Sequence, residues 1–305
     1  MRKRYLILGA NGFIGSNLCD YIASEGGDVT CFDHTEFTKK NPQAHYLVGD
    51  FFDDECLRSV SVQYDVIYHA ISTVNPGNSN ERYMSGYSRD MIQTIKLCSW
   101  IADRDVKLVF LSSGGTVYGN HRRQPINEEQ LARPINHYGN VKLCIENALR
   151  IFHIQNRLSV RIARLSNPYG PGQDYTKGVG FIDAALKKAM TGEKLEIWGD
   201  GNVVRDYIFI EDACFYLKAL AEYEGNEIIF NVSSAKGKTQ NEILEIIRGL
   251  GLNIRVEYRE SRPVDVERLV LDNGKIVGIY GEHIRSIEEG INDYYKTLSH
   301  KMGSS

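Results

Sequence analysis

Tyr138 and Lys142 are four residues apart in a stretch whose apolar periodicity predicts a helix over His137–Asn156. Both side chains therefore lie on one face of that helix. A tyrosine titrates near pH ~10 in water, which is too high for a base at neutral pH. A neighbouring ammonium favours the phenolate, so this pair could take a proton from a substrate hydroxyl. The same spacing also occurs by chance on exposed helix faces. The neighbouring motifs must therefore show whether this pair is catalytic.

A glycine-rich turn connects a predicted strand, Tyr5–Leu8, to a predicted helix, Phe13–Ser24. Glycines at this place allow a tight turn, a close approach of the backbone to a pyrophosphate, and close packing of helix on strand. The phosphate then lies at the positive end of the helix. The residues predicted to bind a dinucleotide here are Gly9, Gly12, Phe13, Ile14 and Gly15.

Asp33 ends the second predicted strand, 18 residues after Gly15. A carboxylate there accepts hydrogen bonds from ribose hydroxyls and repels a 2′-phosphate, so the predicted cofactor is NAD and not NADP. The positive nicotinamide would further favour the Tyr138 phenolate, and Lys142 would hold the nicotinamide ribose. Hydride could then leave for NAD from the carbon whose hydroxyl loses its proton. A glycine turn with only a structural role is the alternative.

Short apolar runs alternate with helical patterns through the first half of the chain. The predicted strands are Tyr5–Leu8, Val29–Asp33, Tyr46–Val48, Val66–His69, Lys107–Ser112 and Ser159–Leu165. The predicted helices are Phe13–Ser24, Asp54–Ser59, Tyr83–Asp103 and His137–Asn156. Such alternation indicates a parallel sheet buried on both faces. The predicted class is α/β: a Rossmann-type doubly wound parallel sheet with a smaller, discontinuous α/β substrate lobe.

The second half of the chain predicts that smaller lobe. Asn167–Gly180 is rich in proline and glycine and predicts a loop. Asp206–Ile210 and Ile228–Val232 are predicted strands that return to the main sheet. The predicted division is an NAD-binding domain over 1–165, with 206–234 returning to it. The substrate lobe then takes 166–205 and 235–300, and 301–305 form a tail.

Composition excludes several classes of protein. The 305 residues carry a net charge of −3, so nothing predicts a nucleic-acid partner. No apolar run approaches the roughly 18 residues of a membrane span, and no signal peptide is evident. The six cysteines have no C-x-x-C spacing, which predicts reduced, mostly buried thiols and no metal site. We expect a cytoplasmic protein.

The glycine turn, Asp33 and the Tyr138-x-x-x-Lys142 pair resemble the extended short-chain dehydrogenase/reductase family over essentially the whole chain. Within it, the chain is similar to the NAD-dependent nucleotide-sugar epimerases and dehydratases, and especially to UDP-glucose 4-epimerase-like enzymes. The resemblance implies that Asp50 and Phe51 lie at the adenine, and that Ala70 and Ile71 follow the dinucleotide.

The same resemblance implies a nucleotide-sugar site. Asn167 matches a family residue that contacts the substrate diphosphate. Arg205 belongs to a segment similar to the uridine-binding segment, which Trp198 adjoins. Arg262 and Asp265 match a later arginine and carboxylate that take the diphosphate and ribose, and an arginine fork suits phosphate oxygens. Leu269 stands at a position that tunes tolerance for an N-acetyl group in such epimerases.

Four residues depart from the family pattern. Relatives carry a hydroxyl residue at Gly114, so Ser113 or Thr116 is expected to supply it, with Thr116 slightly favoured. Glycine there could instead make room for a bulkier substrate group. The related dehydratases carry Asp and Glu at Gly115 and Thr116, and decarboxylases also use that Glu. Asp90 stands where relatives usually have Asn to support the cofactor.

These features predict an NAD-dependent 4-epimerase of a UDP-sugar, chosen because the acids of the neighbouring reactions are missing. The sugar itself stays open among hexose, N-acetylhexosamine and uronate. One alternative is another nucleotide-sugar or lipid-linked-sugar oxidoreductase of the same fold. A second is a non-enzymatic NAD-binding sensor, although such a protein would be expected to lose the Tyr–Lys pair. A homodimer is expected, as in relatives.

Overall fold

The computed structural model describes residues 2–260 and 266–303. The strands are β1 (Arg4–Leu8), β2 (Asp28–Asp33), β3 (His45–Val48), β4 (Val66–His69), β5 (Lys107–Ser113), β6 (Ser159–Leu165), β7 (Asn167–Tyr169), β8 (Lys194–Trp198), β9 (Val204–Phe209), β10 (Ile229–Val232), β11 (Gly237–Thr239), β12 (Arg255–Arg259) and β13 (Arg268–Leu269). The helices are α1 (Phe13–Ser24), α2 (Asp54–Ser61), α3 (Tyr83–Ser85), α4 (Ile92–Ile101), α5 (Gly114–Val117), α6 (His137–Ile154), α7 (Phe181–Thr191), α8 (Ile210–Glu222), α9 (Gln240–Gly249), α10 (Gly274–Tyr280) and α11 (Ile287–Gly303).

Seven strands form the main sheet, in the order β3-β2-β1-β4-β5-β6-β10. Every neighbouring pair in it is parallel. The order reverses beside β1, because β2 and β3 lie on one side of it and β4, β5 and β6 on the other. That reversal is the switch point at which doubly wound sheets bind ligands beyond the carboxyl ends of their strands. The predicted fold class is confirmed.

Helices cover both faces of this sheet, as its apolar strands require. On one face α1, α8 and α10 pack over side chains such as Ile7, Cys31 and Tyr68. On the other face α2, α4 and α6 pack over the alternate residues of the same strands, such as Leu6 and Phe32. Successive strand residues point to opposite faces, so both sets are apolar.

The smaller lobe is built on two short sheets. One pairs β7, β11 and β13 with β9, and the other pairs β8 with β12. A separate apolar cluster, with residues from α7, α9 and α11, lies beneath them. The predicted return of Ile228–Val232 to the main sheet is confirmed, since β10 pairs with β6. The predicted return of Asp206–Ile210 is wrong, because β9 stays in the small lobe and the chain crosses back through α8, which packs against α1.

Two other sequence predictions need correction. Asn167–Gly180 is not only a loop, because β7 pairs in parallel with β9 and a 3₁₀ turn spans Tyr175–Lys177. The helix predicted over Tyr83–Asp103 is divided into α3, a π-helical turn over Gly86–Met91, and α4. π-Helical turns inside helices are often found at functional sites.

The cysteine prediction is wrong for one pair. Cys19 on α1 and Cys31 on β2 form a disulfide, with their Cα atoms 6.6 Å apart. The cause is tertiary, because α1 lies across β2 and brings together two residues whose spacing in the sequence gives no sign of pairing. Cys98 and Cys214 are buried thiols, as predicted. No helix within the described ranges is long and apolar enough to cross a membrane.

Candidate active site

The glycine turn lies between the end of β1 and the start of α1. Gly9 has φ of 87°, a conformation that favours glycine, and its amide donates to the Phe32 carbonyl over 2.9 Å. A Cβ added to Gly15 would overlap the Gly9 carbonyl oxygen, so helix and turn pack too closely for any side chain. Gly12 caps α1 without a side chain on the terminal amides. These amides are free to hold an anionic group, so this turn suits a pyrophosphate.

Asp33 is held by backbone amides at the carboxyl end of β2. Its Oδ2 accepts from the Asn11 amide over 3.0 Å, and its Oδ1 accepts from the His34 amide over 2.8 Å. The His34 ring also lies 2.9 Å from Oδ1. These contacts fix the carboxylate beside the glycine turn, where it can receive ribose hydroxyls.

The residues predicted to follow the dinucleotide lie on the next strand ends. Asp50 follows β3, and its Oδ1 accepts from the Phe52 amide over 2.9 Å. Phe51 is buried, with its ring 5.0 Å from that of His69. The Ala70 amide donates to the Leu8 carbonyl, and the Ile71 side chain lies beside Gly9. The structure therefore brings Ala70 and Ile71 against the glycine turn.

His69 is a buried, neutral side chain next to these residues. Burial, followed by the charge of Lys142, lowers its pKa to about 3. Its Nδ1 accepts from the Ile71 amide, so the proton is on Nε2, which lies 2.8 Å from the Thr94 hydroxyl. Thr94 in turn donates to the Asp90 carbonyl over 2.6 Å.

Tyr138 and Lys142 share one face of α6, as predicted. The helix begins at Asn136, whose Oδ1 accepts from the Gly139 amide over 2.8 Å. The Lys142 Nζ donates to the Leu111 carbonyl over 3.1 Å and lies 5.7 Å from the centre of the Tyr138 ring. An ammonium is thus fixed beneath the phenol by a strand carbonyl.

Burial shifts the pKa values of Tyr138 and Lys142 in opposite directions. Desolvation raises the pKa of Tyr138 to about 12, with a further rise from the negative charge of Asp90 and a lowering from the Ser113 hydroxyl. Burial lowers the pKa of Lys142 to about 8, against the opposing charges of Asp90 and Glu146. In the protein alone, Tyr138 is therefore a neutral phenol at pH 7, and a phenolate needs further positive charge.

The two candidate hydroxyls differ in their surroundings. Hydrogen bonding from Ser113 lowers the pKa of Tyr138, whereas the Thr116 hydroxyl donates to the Ser113 carbonyl within α5 over 3.4 Å. A Cβ on Gly114 would lie 3.0 Å from the Arg164 carbonyl oxygen and would collide with Leu271. The expectation that Gly114 makes room for substrate is therefore wrong, because Leu271 and the carbonyls of β6 already fill the space where a side chain would lie.

A Cβ on Gly115 would instead fit without a clash. A Cβ placed on it would have the Asn167 Oδ1 at 3.7 Å and the Ser113 Oγ at 3.9 Å as its nearest neighbours. The Asn167 Nδ2 donates to the Asp206 carbonyl over 2.8 Å, which fixes that amide between the lobes. The structure thus brings a predicted substrate residue, Asn167, next to the hydroxyl that contacts Tyr138.

The other predicted substrate residues lie farther along the small lobe. Arg205 on β9 donates to the Val266 carbonyl over 2.6 Å, beside β13. Trp198 ends β8 in the other small sheet and is about half exposed. Leu269 is buried in an apolar cluster with Val117 and Tyr118. Arg262 and Asp265 lie outside the described residues.

A buried ion pair that the sequence analysis missed supports α6. Arg164 on β6 donates to Glu146 from its Nε and Nη2, the shorter contact being 2.6 Å, and Ser112 donates to the same carboxylate. The Arg164 guanidinium also lies 4.7 Å from the centre of the Tyr118 ring. Glu146 is one turn after Lys142 on a largely apolar face of α6. A carboxylate on such a face indicates a buried ion pair, and this is the feature by which the sequence could have revealed it. The pair fixes α6 to β5 and β6 at the level of Lys142.

The fold and the glycine turn define a dinucleotide-binding protein in which Tyr138 and Lys142 on α6 lie beside the carboxyl end of β5. The sequence pattern of the NAD dependent epimerase/dehydratase family matches residues 5–233. The chain belongs to this family, and its cofactor is NAD.

Relatives agree over nearly the whole length. The chain is 28% identical to a putative UDP-glucose 4-epimerase of Methanocaldococcus jannaschii, over 94% of this chain and 95% of that protein. It is 25% identical to UDP-glucuronic acid decarboxylase 1 of Xenopus tropicalis, over 99% of this chain and 75% of that protein. Among solved structures, a UDP-glucose 4-epimerase of Thermotoga maritima with UDP-glucose superposes with a TM-score of 0.91 at 26% identity, covering 98% of this chain and 99% of that one.

Proposed function

We propose that the protein is an NAD-dependent 4-epimerase of a UDP-sugar. The observation that carries this proposal is the grouping of Tyr138, Lys142 and Ser113, with the Asn167 side chain next to Ser113 at Gly115. This grouping offers a base, its activating ammonium and a hydroxyl donor. The similarity to UDP-glucose 4-epimerases supports a UDP-sugar as the substrate.

In this reaction Tyr138 would remove the proton from the hydroxyl at sugar C4. Bound NAD would supply the hydride acceptor for C4, and the sugar ketone would have to rotate in the site before hydride returns to its other face. The Ser113 hydroxyl would hold the reacting oxygen and stabilise the phenolate, and the Lys142 ammonium would stabilise it further. Reprotonation of the C4 oxygen by Tyr138 then restores the starting state of the protein, so there is no net redox change.

Elimination and decarboxylation are less well supported, although a decarboxylase is among the relatives. The two positions where such enzymes carry acids hold Gly115 and Thr116. Near the Gly115 position the closest polar atoms are an amide oxygen, a serine hydroxyl and a backbone carbonyl, and not a carboxylate. Without an acid at that place, loss of water or of CO₂ lacks its proton donor or acceptor.

The small lobe would bind the nucleotide part of the substrate. We propose that Asn167 and Arg262 take the diphosphate, Arg205 and Trp198 the uridine, and Asp265 the ribose. The residues concerned would be those of 166–205 and 235–300, the proposed substrate lobe. Thr116, whose hydroxyl lies one turn after Ser113, stays the second candidate for the hydroxyl donor.

One experiment tests the reaction directly. The purified protein is incubated separately with UDP-glucose, UDP-N-acetylglucosamine and UDP-glucuronate, without added NAD, and the anomeric protons are followed by NMR. We expect the C4 epimer of at least one sugar to form to equilibrium. If none of the three UDP-sugars is converted even with NAD added, the proposal is contradicted. The Tyr138→Phe variant is the control: it should lose turnover by about 10²–10⁴-fold while still binding NAD.

We also propose a homodimer through α4 and α6, which pack side by side. Three isoleucines on these helices are strongly exposed: Ile92 on α4, and Ile151 and Ile154 on α6. Large apolar side chains grouped on neighbouring helices favour burial against a second copy.

A further inference from the structure

Asp90 is a buried carboxylate in the π-helical turn Gly86–Met91, close to the catalytic pair. Only 2% of its surface is exposed. Its Oδ2 accepts from the Ser72 hydroxyl over 2.9 Å and from the Thr73 amide over 2.8 Å. Its Oδ1 is buried without a hydrogen-bond partner. A buried carboxylate with a free oxygen is costly, so its retention calls for a compensating charge or a ligand nearby.

The π-helical turn that carries Asp90 packs against α6. A Cβ on Gly86 would lie 2.9 Å from a methyl group of Val141, so the turn and the catalytic helix are in close contact. Val141 lies between Tyr138 and Lys142 in sequence, and the charge of Asp90 acts on both of these side chains. The Lys142 ammonium therefore offsets part of the Asp90 charge.

Other charged or titratable groups around the pair have contacts of their own, including His137, whose Nδ1 lies 3.1 Å from the Tyr87 hydroxyl. Glu146 also faces Lys142, but it is paired with Arg164 at 2.6 Å. His69 faces Lys142 as a neutral ring. Arg89, next to Asp90, lies over the Phe52 ring at 4.1 Å. Asp90 is thus the carboxylate that acts on Tyr138 and Lys142 together, without an arginine partner of its own among the described contacts.

We propose that Asp90 is a positioning residue whose carboxylate offsets the Lys142 charge at Tyr138 and so sets the pH at which Tyr138 can act as a base. This inference rests on the proposed role of Tyr138. An ammonium alone favours the phenolate, and a carboxylate beside it removes part of that effect. The same carboxylate keeps Lys142 protonated, because it favours the charged form of the lysine. An amide at position 90 would keep the shape and remove the charge.

The consequence is that Tyr138 and Lys142 both stay protonated before the cofactor binds. With Asp90 charged, the Tyr138 phenol and the Lys142 ammonium both hold their protons until the positive nicotinamide is bound beside them. With an amide, the phenolate would form at lower pH, and Lys142 would lose its proton at lower pH as well.

The test compares the Asp90→Asn variant with the unchanged protein, each saturated with NAD. Tyrosine labelled with ¹³C at Cζ reports phenolate formation by NMR, and the Tyr138→Phe variant assigns the Tyr138 signal. We expect the Tyr138 midpoint to fall by about one pH unit or more in Asp90→Asn. The Glu55→Gln variant removes an exposed carboxylate and should leave the midpoint unchanged.

An unchanged midpoint in folded Asp90→Asn would overturn the inference. If Asp90→Asn does not fold, Asp90→Ser is measured in the same way, with the same expectation.

Kinetics give a second measurement that separates this inference from the proposed function. The acid limb of kcat/KM for epimerisation should move to lower pH in Asp90→Asn by the same amount as the NMR midpoint. A shifted midpoint together with no epimerase activity in any protein would count against the UDP-sugar reaction and support the role of Asp90.

Discussion

The Ser113 hydroxyl lowers the pKa of Tyr138, which favours Ser113 as the hydroxyl donor. The sequence alone slightly favours Thr116. In the structure the Thr116 hydroxyl is turned back to the Ser113 carbonyl. A hydroxyl that donates to the phenol oxygen favours the phenolate, which is the form a base needs.

We therefore predict different costs for removing these two hydroxyls. Ser113→Ala should lower kcat by about 10–100-fold, because a hydrogen bond to a charged group is lost in the transition state. Thr116→Val, the matched control, should leave kcat nearly unchanged. Steady-state kinetics with the UDP-sugar found to react would measure both. A larger loss in Thr116→Val than in Ser113→Ala would return the role to Thr116.

At the scale of elements, β9 links the two lobes through one buried carboxylate. Asp206 lies fully buried on β9, where its Oδ1 accepts from the Ser234 amide and hydroxyl and its Oδ2 from the Leu271 amide. Its own carbonyl accepts from Asn167. Burial nevertheless outweighs these donors and raises the pKa of Asp206 to about 6.

This carboxylate should make stability depend on pH. Between about pH 4 and 6 the folded protein holds a proton on Asp206 that the unfolded chain has lost, so its contribution is largest at low pH and declines as the pH rises through this window. The decline should reach about 3 kcal/mol. Urea unfolding at pH 4 and pH 7 would measure it as the difference between the unchanged protein and Asp206→Asn.

The Asn variant cannot titrate, so the extra loss between the two pH values should vanish in it. A second effect is expected at both pH values, because the Asn amide would face the Leu271 amide and lower stability by about 1–3 kcal/mol. Equal pH dependence in the two proteins would show that Asp206 titrates normally.

At the scale of the whole molecule, the two lobes meet where β6 passes into β7 and β9 into α8. The proposed reacting groups belong to the main domain and the proposed nucleotide contacts to the small lobe, so Gly115, which lies near both Ser113 and Asn167, is at their junction. Ligand sites often form at such junctions. Exposed isoleucines on α4 and α6 lie on another part of the molecule.

We predict that these isoleucines hold a dimer together. Ile151 is 57% exposed, and Ile151→Glu should place a charge in the interface and shift the protein to monomer. Ile279→Glu on α10 changes a similarly exposed isoleucine away from that surface and is the matched control. Sedimentation equilibrium would compare them at one concentration. A monomer before any change, or a dimer that persists in Ile151→Glu, would contradict the prediction.

The sequence by itself determined the fold class, the cofactor and the Tyr–Lys pair. Each depends on residues that are close in sequence: the period of apolar residues in a strand or helix, glycines around one turn, and a four-residue spacing on one helix. Local geometry fixes such features before any packing is known. The strands and the main helices of the first half accordingly lie within a residue or two of their predicted bounds.

Tertiary structure decided what depends on two distant segments meeting. The Cys19–Cys31 disulfide, the place of β9 in the small lobe and the filled space at Gly114 all arise from packing between elements. The same holds for Ser113 against Tyr138 and for Asp90 beside Lys142, where side chains from different elements converge. A sequence gives the type of each side chain, but only the packed chain fixes the distances on which hydrogen bonds and charge–charge effects depend.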